Sequence, residues 1–430
     1  MTYEQALQRI HSLLTFGSRP GLDRMRELLK RMGDPQDRLR YIHVAGTNGK
    51  GSVCAMLSAV LKAAGYKTGL FISPYITDFR ERIQIDNVMI SEDTLAEAVE
   101  QTFPLIEQLR SEGIIITEFE YVNALEFYIH ANAGCDVVVL ETGMGGLLDC
   151  TNVIKPPLCA VITVIGLDHT AILGDTVEKI SAQKCGIIKS GSRAVTSAQC
   201  DEAMAVIEKT AAERAVPLRK AEDIRIETLG SDLRGSRFVY GGQELFLPLA
   251  GGHQLDNART ALAAIETLNE SGALTVNMEA VAEGMARAVN PARLELLGEE
   301  PVVLLDGAHN PNGIEALQRA IKEYLDSREL ICVMGMLADK DVDSSISLLS
   351  GLFREIIAVP VNNPRALGAE ALAEKCRAQG IKARSFGSAE EGFDEAYAAA
   401  REIGGAVLVC GSLYLAGELR PYIISFLQQA

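Results

Sequence analysis

Arg40-Tyr41-Ile42-His43-Val44-Ala45, running into Gly46-Thr47-Asn48-Gly49-Lys50-Gly51-Ser52, is the stretch whose reading decides the fold. Its first half is short, apolar and β-branched, which predicts a buried strand. Its second half is a glycine-rich turn that opens a helical pattern continuing to about Ala64. Glycines let backbone N–H groups turn toward an anion, the helix start adds partial positive charge, and Lys50 can bridge outer phosphates. The spacing departs from the common G-x-x-x-x-G-K-[ST]: no glycine stands six residues before Lys50, and Gly51 separates Lys50 from Ser52. A glycine turn with a surface lysine is the bland alternative. The strand before, the helix after and the nearby serine favour an ATP phosphate cradle.

Outward from this stretch, residues 67–72, 136–140 and 159–165 are further β-branched runs, expected as strands with helices between them. That pattern predicts a mainly parallel sheet covered on both faces. Between residues 224 and 249 three short runs alternate at close intervals, as antiparallel strands do, and a long helix is expected over 253–268. From Pro301 the runs PVVLLD, ELICVMGM, EIIAVPV and GAVLVCG restart the alternation, each expected to be separated by one helical stretch. The chain is therefore divided into a domain over 1–292 and a smaller α/β domain over 298–430, with the boundary between Asn290 and Glu300.

The 430 residues hold 41 Lys+Arg against 57 Asp+Glu, a net charge of −16. An acidic chain is poorly suited to neutralising a duplex or an anionic membrane, so neither partner is expected. A composition of 48% hydrophobic and 23% charged residues excludes wholesale disorder. Nine cysteines, an odd number with no C-x-x-C pair, disfavour a disulfide framework or a zinc cage and point to a reducing cytosol. The first residues are helical in pattern without a signal peptide's apolar core. No apolar run reaches the roughly 20 residues that span a bilayer. A cytoplasmic monomer is expected.

Polar residues gather at other predicted strand ends. Glu141-Thr142-Gly143-Met144-Gly145-Gly146 closes one strand, and a carboxylate beside a phosphate loop is where Mg²⁺ is held in such sites. A turn-capping glutamate is the alternative. Asp168-His169 repeats the arrangement one strand along, whereas Lys184 reads as an ordinary helix lysine. In the second half, Asp306 and His309 in LDGAHNP, Lys340 in GMLADKD, and Ser412 in CGSLY follow the same rule. One interdomain cleft would explain the set; independent loop capping would explain any member. No Ser-His-Asp elbow is present and no G-x-G-x-x-G opens either domain, so hydrolase and dehydrogenase readings lack support.

Together, AGTNGKGS, SPYITDFRERI, ETGMGGLLDCTN, LDHT, LDGAHNP and GMLADKD resemble the folylpolyglutamate synthase/dihydrofolate synthase family, the folate branch of the Mur ligases. The resemblance implies an α/β fold: an N-terminal P-loop domain of the Mur central type, with a mainly parallel sheet plus a small antiparallel sheet, and a Rossmann-like C-terminal domain. It also implies ATP-driven amide synthesis through an acyl phosphate, joining L-glutamate to dihydropteroate or a folate. It assigns Thr47, Asn48, Gly49, Lys50, Gly51, Ser52, Asn257, Arg293 and Asp306 to the nucleotide. Ser73, Glu141 and His169 would hold two Mg²⁺ ions, with room for a monovalent cation. Lys184 would be carbamylated, and Lys50, Lys184 and His309 would act in catalysis. Substrate contacts are expected from Leu22, Asp23, Arg24, Arg82, Thr117, Phe119, Glu120, Leu148 and Asp149, and from Lys340 and Ser412 on the glutamate side.

The chain departs from the family pattern at Leu147 (usually arginine), Arg80 (usually asparagine), Gln183 (usually glutamate) and Ala292 (usually glycine). None removes a phosphate or metal group, but Leu147 bears on pterin recognition. Two rivals remain: another Mur-type amino-acid ligase, whose loop usually reads G-K-T-T after a separate N-terminal domain, and a nucleotide-binding ATPase that makes no amide.

Overall fold

In the computed structural model, residues 1–14 and 21–429 are described. The opening stretch folds as expected. Strand β1, Tyr41–Ala45, is buried along its whole length, and the helix Lys50–Ala63 follows it. The chain then adds β2 (Thr68–Phe71), β3 (Ile83–Ile85), β4 (Val88–Met89), β5 (Val137–Glu141), β6 (Cys159–Ile162), β7 (Ala194–Thr196) and β8 (Leu218–Lys220). These form one eight-stranded sheet in the order β4-β3-β2-β5-β1-β6-β7-β8. Only β3 and β4 run antiparallel to their neighbours. Because β1 lies between β5 and β6, connections leave it in both directions and open a crevice at the strands' carboxyl ends.

Ile42, Val44, Val137, Val139 and Val161 pack with Val53, Leu57 and Val60 of the first helix in a single core. Each such burial contributes about 1.5–3 kcal/mol before chain entropy is counted. The opposite face of the sheet packs Phe71, Val138 and Leu140 against Tyr121, Leu125 and Phe127 of the helix Glu118–Ala133.

A three-stranded antiparallel sheet follows, β9 (Glu227–Asp232), β10 (Gly235–Tyr240) and β11 (Gln243–Leu247), and then the long helix Gly252–Glu270. The last sheet has six strands: β12 (Glu295–Glu299), β13 (Val302–Leu305), β14 (Leu330–Met334), β15 (Glu355–Ala358), β16 (Ala383–Ser385) and β17 (Ala406–Cys410). Their order is β12-β13-β17-β14-β15-β16, parallel except for β12.

Two expectations need correction. No helix joins β5 to β6; a loop with a short 3₁₀ turn, Cys150–Val153, does so. Two helices and strand β16, not one helix, separate β15 from β17. Among the described residues no helix is long and apolar enough to cross a membrane. Eight of the nine free cysteines are buried and Cys200 is exposed.

Candidate active site

The phosphate loop hangs between β1 and its helix. Gly49 has φ +88°, and a Cβ there would run into the Asn257 side chain. Only glycine suits that conformation and that contact. The helix's first intrahelical bond runs from Val53 N–H to the Gly49 carbonyl at 3.0 Å, so the N–H groups of Lys50, Gly51 and Ser52 are left for an anion. Thr47 and Asn48 are used otherwise: both N–H groups donate to the Val164 carbonyl, at 2.9 and 3.2 Å. These two amides anchor the loop to the exit of β6 and are not among those left open to an anion. The Ser52 hydroxyl is buried and accepts from Asn290 Nδ2 at 3.0 Å, which ties the loop to the chain leading into β12.

Lys50 curls over the loop, donating to the carbonyls of Gly46 at 3.2 Å and Thr47 at 3.3 Å, with its Nζ 4.0 Å from Glu141 Oε1. Glu141 ends β5 and is 4% exposed. Burial raises its pKa, countered by Lys50 and by the Ser73 N–H, which donates to Oε2 at 3.0 Å. Lys184 was indistinguishable by its sequence neighbours, but it closes the helix Val177–Lys184, is 5% exposed, and donates to the Gly46 carbonyl at 2.6 Å. Burial, with the nearby Lys50 charge, pushes its amine down to about 7. His169 sits at φ +49° with Nε2 4.0 Å from Asp168 Oδ1; desolvation, with the charges of Lys340, Lys184 and Lys50, lowers its pKa against the opposing pull of Asp168, which favours the neutral, ligating imidazole.

Among the described residues no three or more His, Cys, Asp or Glu are grouped so as to hold a metal ion. Single donors such as Ser73, Glu141 and His169 fit Mg²⁺, which keeps waters and phosphate oxygens and takes one or two protein ligands.

The loop from Gly143 to Asn152 faces this cradle. Asp149 accepts from Met144 N–H at 2.8 Å and from Thr151 N–H at 3.0 Å, while Leu147 N–H donates to the Gln183 carbonyl at 2.7 Å. Leu147 and Leu148 remain exposed at the loop's crest. Phe119 packs directly on Gly143. Thr117 and Glu120 turn out to cap their own helix reciprocally, and Glu120 also pairs with Arg24 at 2.9 Å. Leu22 is the N-cap residue of the helix Asp23–Arg31, and Asp23 points outward to Arg26 at the surface. Arg82 lies over the rings of Tyr75 and Phe79, at 5.2 and 5.6 Å, and its Nε is buried without a partner.

From the six-stranded sheet, Asp306 is 9% exposed and accepts from the N–H groups of Leu294 and Ala308, each at 2.7 Å. Burial raises its pKa, and the Arg293 charge opposes that rise. Asp306 thus organises the turn that carries Arg293. His309 donates from Nδ1 to the Gly307 carbonyl at 2.8 Å, leaving Nε2 as an acceptor, and burial pushes its pKa down to about 4. Ser412 Oγ accepts from Tyr414 N–H at 3.1 Å, at the start of the last helix.

Asp168 joins the two halves. Lys340 approaches its Oδ1 at 3.6 Å, and Asn310 Nδ2 donates to Oδ2 at 3.3 Å. Asn312 Nδ2 lies so close to Gly166 that a Cβ there would displace it. The sequence marks Asp168 only as a neighbour of His169, includes Asn310 in LDGAHNP without a role, and gives no sign of Asn312. Their signal, the paired motifs LDHT and AHNPN, shows only once the sheets face each other.

Residues 44–265 match the Mur ligase middle domain, and residues 292–413 match the Mur ligase glutamate ligase domain. The dihydrofolate synthase/folylpolyglutamate synthase of Bacillus subtilis (strain 168) is 38% identical over 432 residues, covering 97% of this chain and 98% of that one. The folylpolyglutamate synthase of Lacticaseibacillus casei is 35% identical and covers 99% of each. The solved structure of E. coli FolC in complex with DHPP and ADP superposes with a TM-score of 0.87 at 31% identity, covering 100% of this chain and 99% of that chain. With relatives this similar along nearly their whole length and both ligase domains matched, the chain belongs to the dihydrofolate synthase/folylpolyglutamate synthase family of ATP-dependent Mur-type ligases.

Proposed function

We propose that this chain forms an amide between L-glutamate and a pterin-bearing carboxylic acid, either 7,8-dihydropteroate or a reduced folate, converting ATP to ADP and phosphate. The observation that carries this reading is the convergence of Lys50, Lys184 and Glu141 around the Gly46 turn. A phosphoryl group in flight spreads negative charge over its oxygens, so catalysis rests on positioned cations and amides. Lys50 and the first-turn N–H groups of its helix supply these on the nucleotide side, with Arg293 facing them from the second sheet. Asn257, packed on Gly49, holds the loop's shape.

The acceptor carboxylate attacks the γ-phosphorus, a P–O bond forms, and ADP departs. The glutamate amine then attacks the acyl carbon, a C–N bond forms and inorganic phosphate leaves. His309, neutral with Nδ1–H fixed on Gly307, presents Nε2 as a hydrogen-bond acceptor that orients the attacking amine, whose proton leaves with the phosphate. Ser73, Glu141 and His169 are the residues to hold Mg²⁺, which neutralises phosphate charge when bound. Lys184 is read as the carbamylated lysine: an amine poised near 7 adds carbon dioxide readily, exchanging a proton for a carboxylate. Phe119, Leu148 and the loop held by Asp149 are assigned to the pterin, and Lys340, Ser412 and the unpaired Arg82 to the carboxylates of glutamate. We take residues 1–292 and 298–430 as the two domains and read the chain as a cytoplasmic monomer.

The test is a paired assay of amide formation with dihydropteroate and with tetrahydrofolate, each with ATP and L-glutamate. Glutamate-dependent product with at least one acceptor supports the reading. ATP hydrolysis that ignores both acceptors overturns it.

A further inference from the structure

The strand that leads into the phosphate loop holds a buried histidine that none of these steps uses. His43 lies in β1 at 0% exposure, with Nε2 2.9 Å from Thr151 Oγ1. Thr151 Oγ1 in turn donates to Asp149 Oδ1 at 2.6 Å. Asp149 already receives N–H groups from Met144 and Thr151, so it acts as an acceptor and takes the hydroxyl's one hydrogen. The His43–Thr151 bond must then run from Nε2–H into the hydroxyl oxygen. That fixes the tautomer and leaves Nδ1 bare. Nδ1 is buried and has no partner.

A buried acceptor without a donor is a cost that leucine or phenylalanine at this position would not carry. Burial also pushes the imidazole down to about 3, so the ring stays neutral and the direction of the chain does not reverse. What histidine offers in return is one N–H, aimed at Thr151. Through Thr151 that N–H reaches the carboxylate that gathers Met144 and Thr151 into the loop over the cradle. The start of the same loop is already tied to β1, because Thr142 N–H donates to the Val44 carbonyl at 2.9 Å.

We propose that His43 is a positioning residue for the acceptor: through Thr151 and Asp149 it sets the 143–152 loop relative to the phosphate loop carried by the same strand. The proposal rests on the reading that this loop borders the acceptor site.

The test compares His43→Leu, His43→Gln and Thr151→Val in the full chain, with KM measured separately for ATP and for the pterin acceptor, and Asp149→Ala as reference. Glutamine carries an amide N–H near the place of Nε2–H. The expected result is a rise of about threefold to tenfold in acceptor KM for His43→Leu with ATP KM unchanged, the loss of one buried hydrogen bond. His43→Gln recovers most of it, and His43→Leu adds nothing further on top of Thr151→Val. If His43→Leu does not fold, Thr151→Val carries the same comparison of the two KM values. Leucine and glutamine variants that behave alike, or ATP and acceptor KM values that move together, overturn the proposal. A normal acceptor KM in Asp149→Ala would instead overturn the assignment of the loop.

Discussion

The two large sheets present their carboxyl ends to the same cleft but arm them differently. At the eight-stranded sheet the ionisable groups are sunk: Glu141, Asp149 and Lys184 are 4%, 6% and 5% exposed, and burial is the main cause of each one's shifted pKa. They are held by their own loops and by the Gly46 turn. At the six-stranded sheet Asp306 is spent on its own turn, whereas Lys340, Asn310 and Asn312 reach across to Asp168 and Gly166. The first sheet thus carries a preorganised electrostatic site, and the second docks onto it through Lys340, Asn310 and Asn312 while bringing His309 and Arg293 to the cleft. Changes in the first should strike turnover, and changes at the junction should strike assembly of the site.

Lys50→Ala should separate these regions most sharply. It removes the charge that the proposed mechanism sets against the transferring phosphoryl group and should lower kcat by about a thousandfold or more, with little change in melting temperature. Glu141→Gln should behave similarly. Near-normal turnover in either would break the comparison at its strongest point.

Lys184→Ala should cost about a hundredfold in kcat. Its amine, lowered to about 7, gains its neutral form as pH rises through that value, so carbamylation should grow across the same window. In bicarbonate-depleted buffer, activity should recover on adding bicarbonate, more fully above pH 7 than below it. Were the bare ammonium the working form, activity would fall through this window and bicarbonate would do nothing.

Asp168→Asn removes the charge that Lys340 approaches. We expect a loss of about tenfold in kcat/KM, read in steady-state kinetics, with weaker salt dependence than the parent. A drop in melting temperature as large as that of a core mutant would show that the junction supports the fold and not only the site. Ala292→Gly should have the smallest effect. Ala292 sits at φ +54° on the chain between the sheets, where relief of left-handed strain offsets the added chain entropy of glycine to within about 1 kcal/mol. Calorimetry should show a stability change of that size, with kcat preserved.

Much of this contrast was legible before the fold was known. The strand–turn–helix at residues 40–64 and the four apolar runs after Pro301 carry strong local patterns. Short or irregular strands did not. β16 has three residues, and β12 is an antiparallel edge interrupted by a bulge near Leu296 and Gly298. The β3–β4 hairpin turns on Asp86-Asn87, both at positive φ, just beyond the SPYITDFRERI motif, and its turn chemistry is the signal that marks it. Lys184 was invisible because its neighbours in sequence are those of any helix end; only the approach of the Gly46 carbonyl sets it apart. Thr117 and Glu120 drew attention as substrate residues, while the structure spends them on a helix cap.

The central claim is that the site activates a carboxylate by phosphorylating it. The most direct measurement uses a pterin acceptor whose reacting carboxylate carries a heavy isotope at both oxygens, incubated with ATP and L-glutamate. One labelled oxygen is expected in the released phosphate for each amide formed. Phosphate that carries no label while amide accumulates would contradict it.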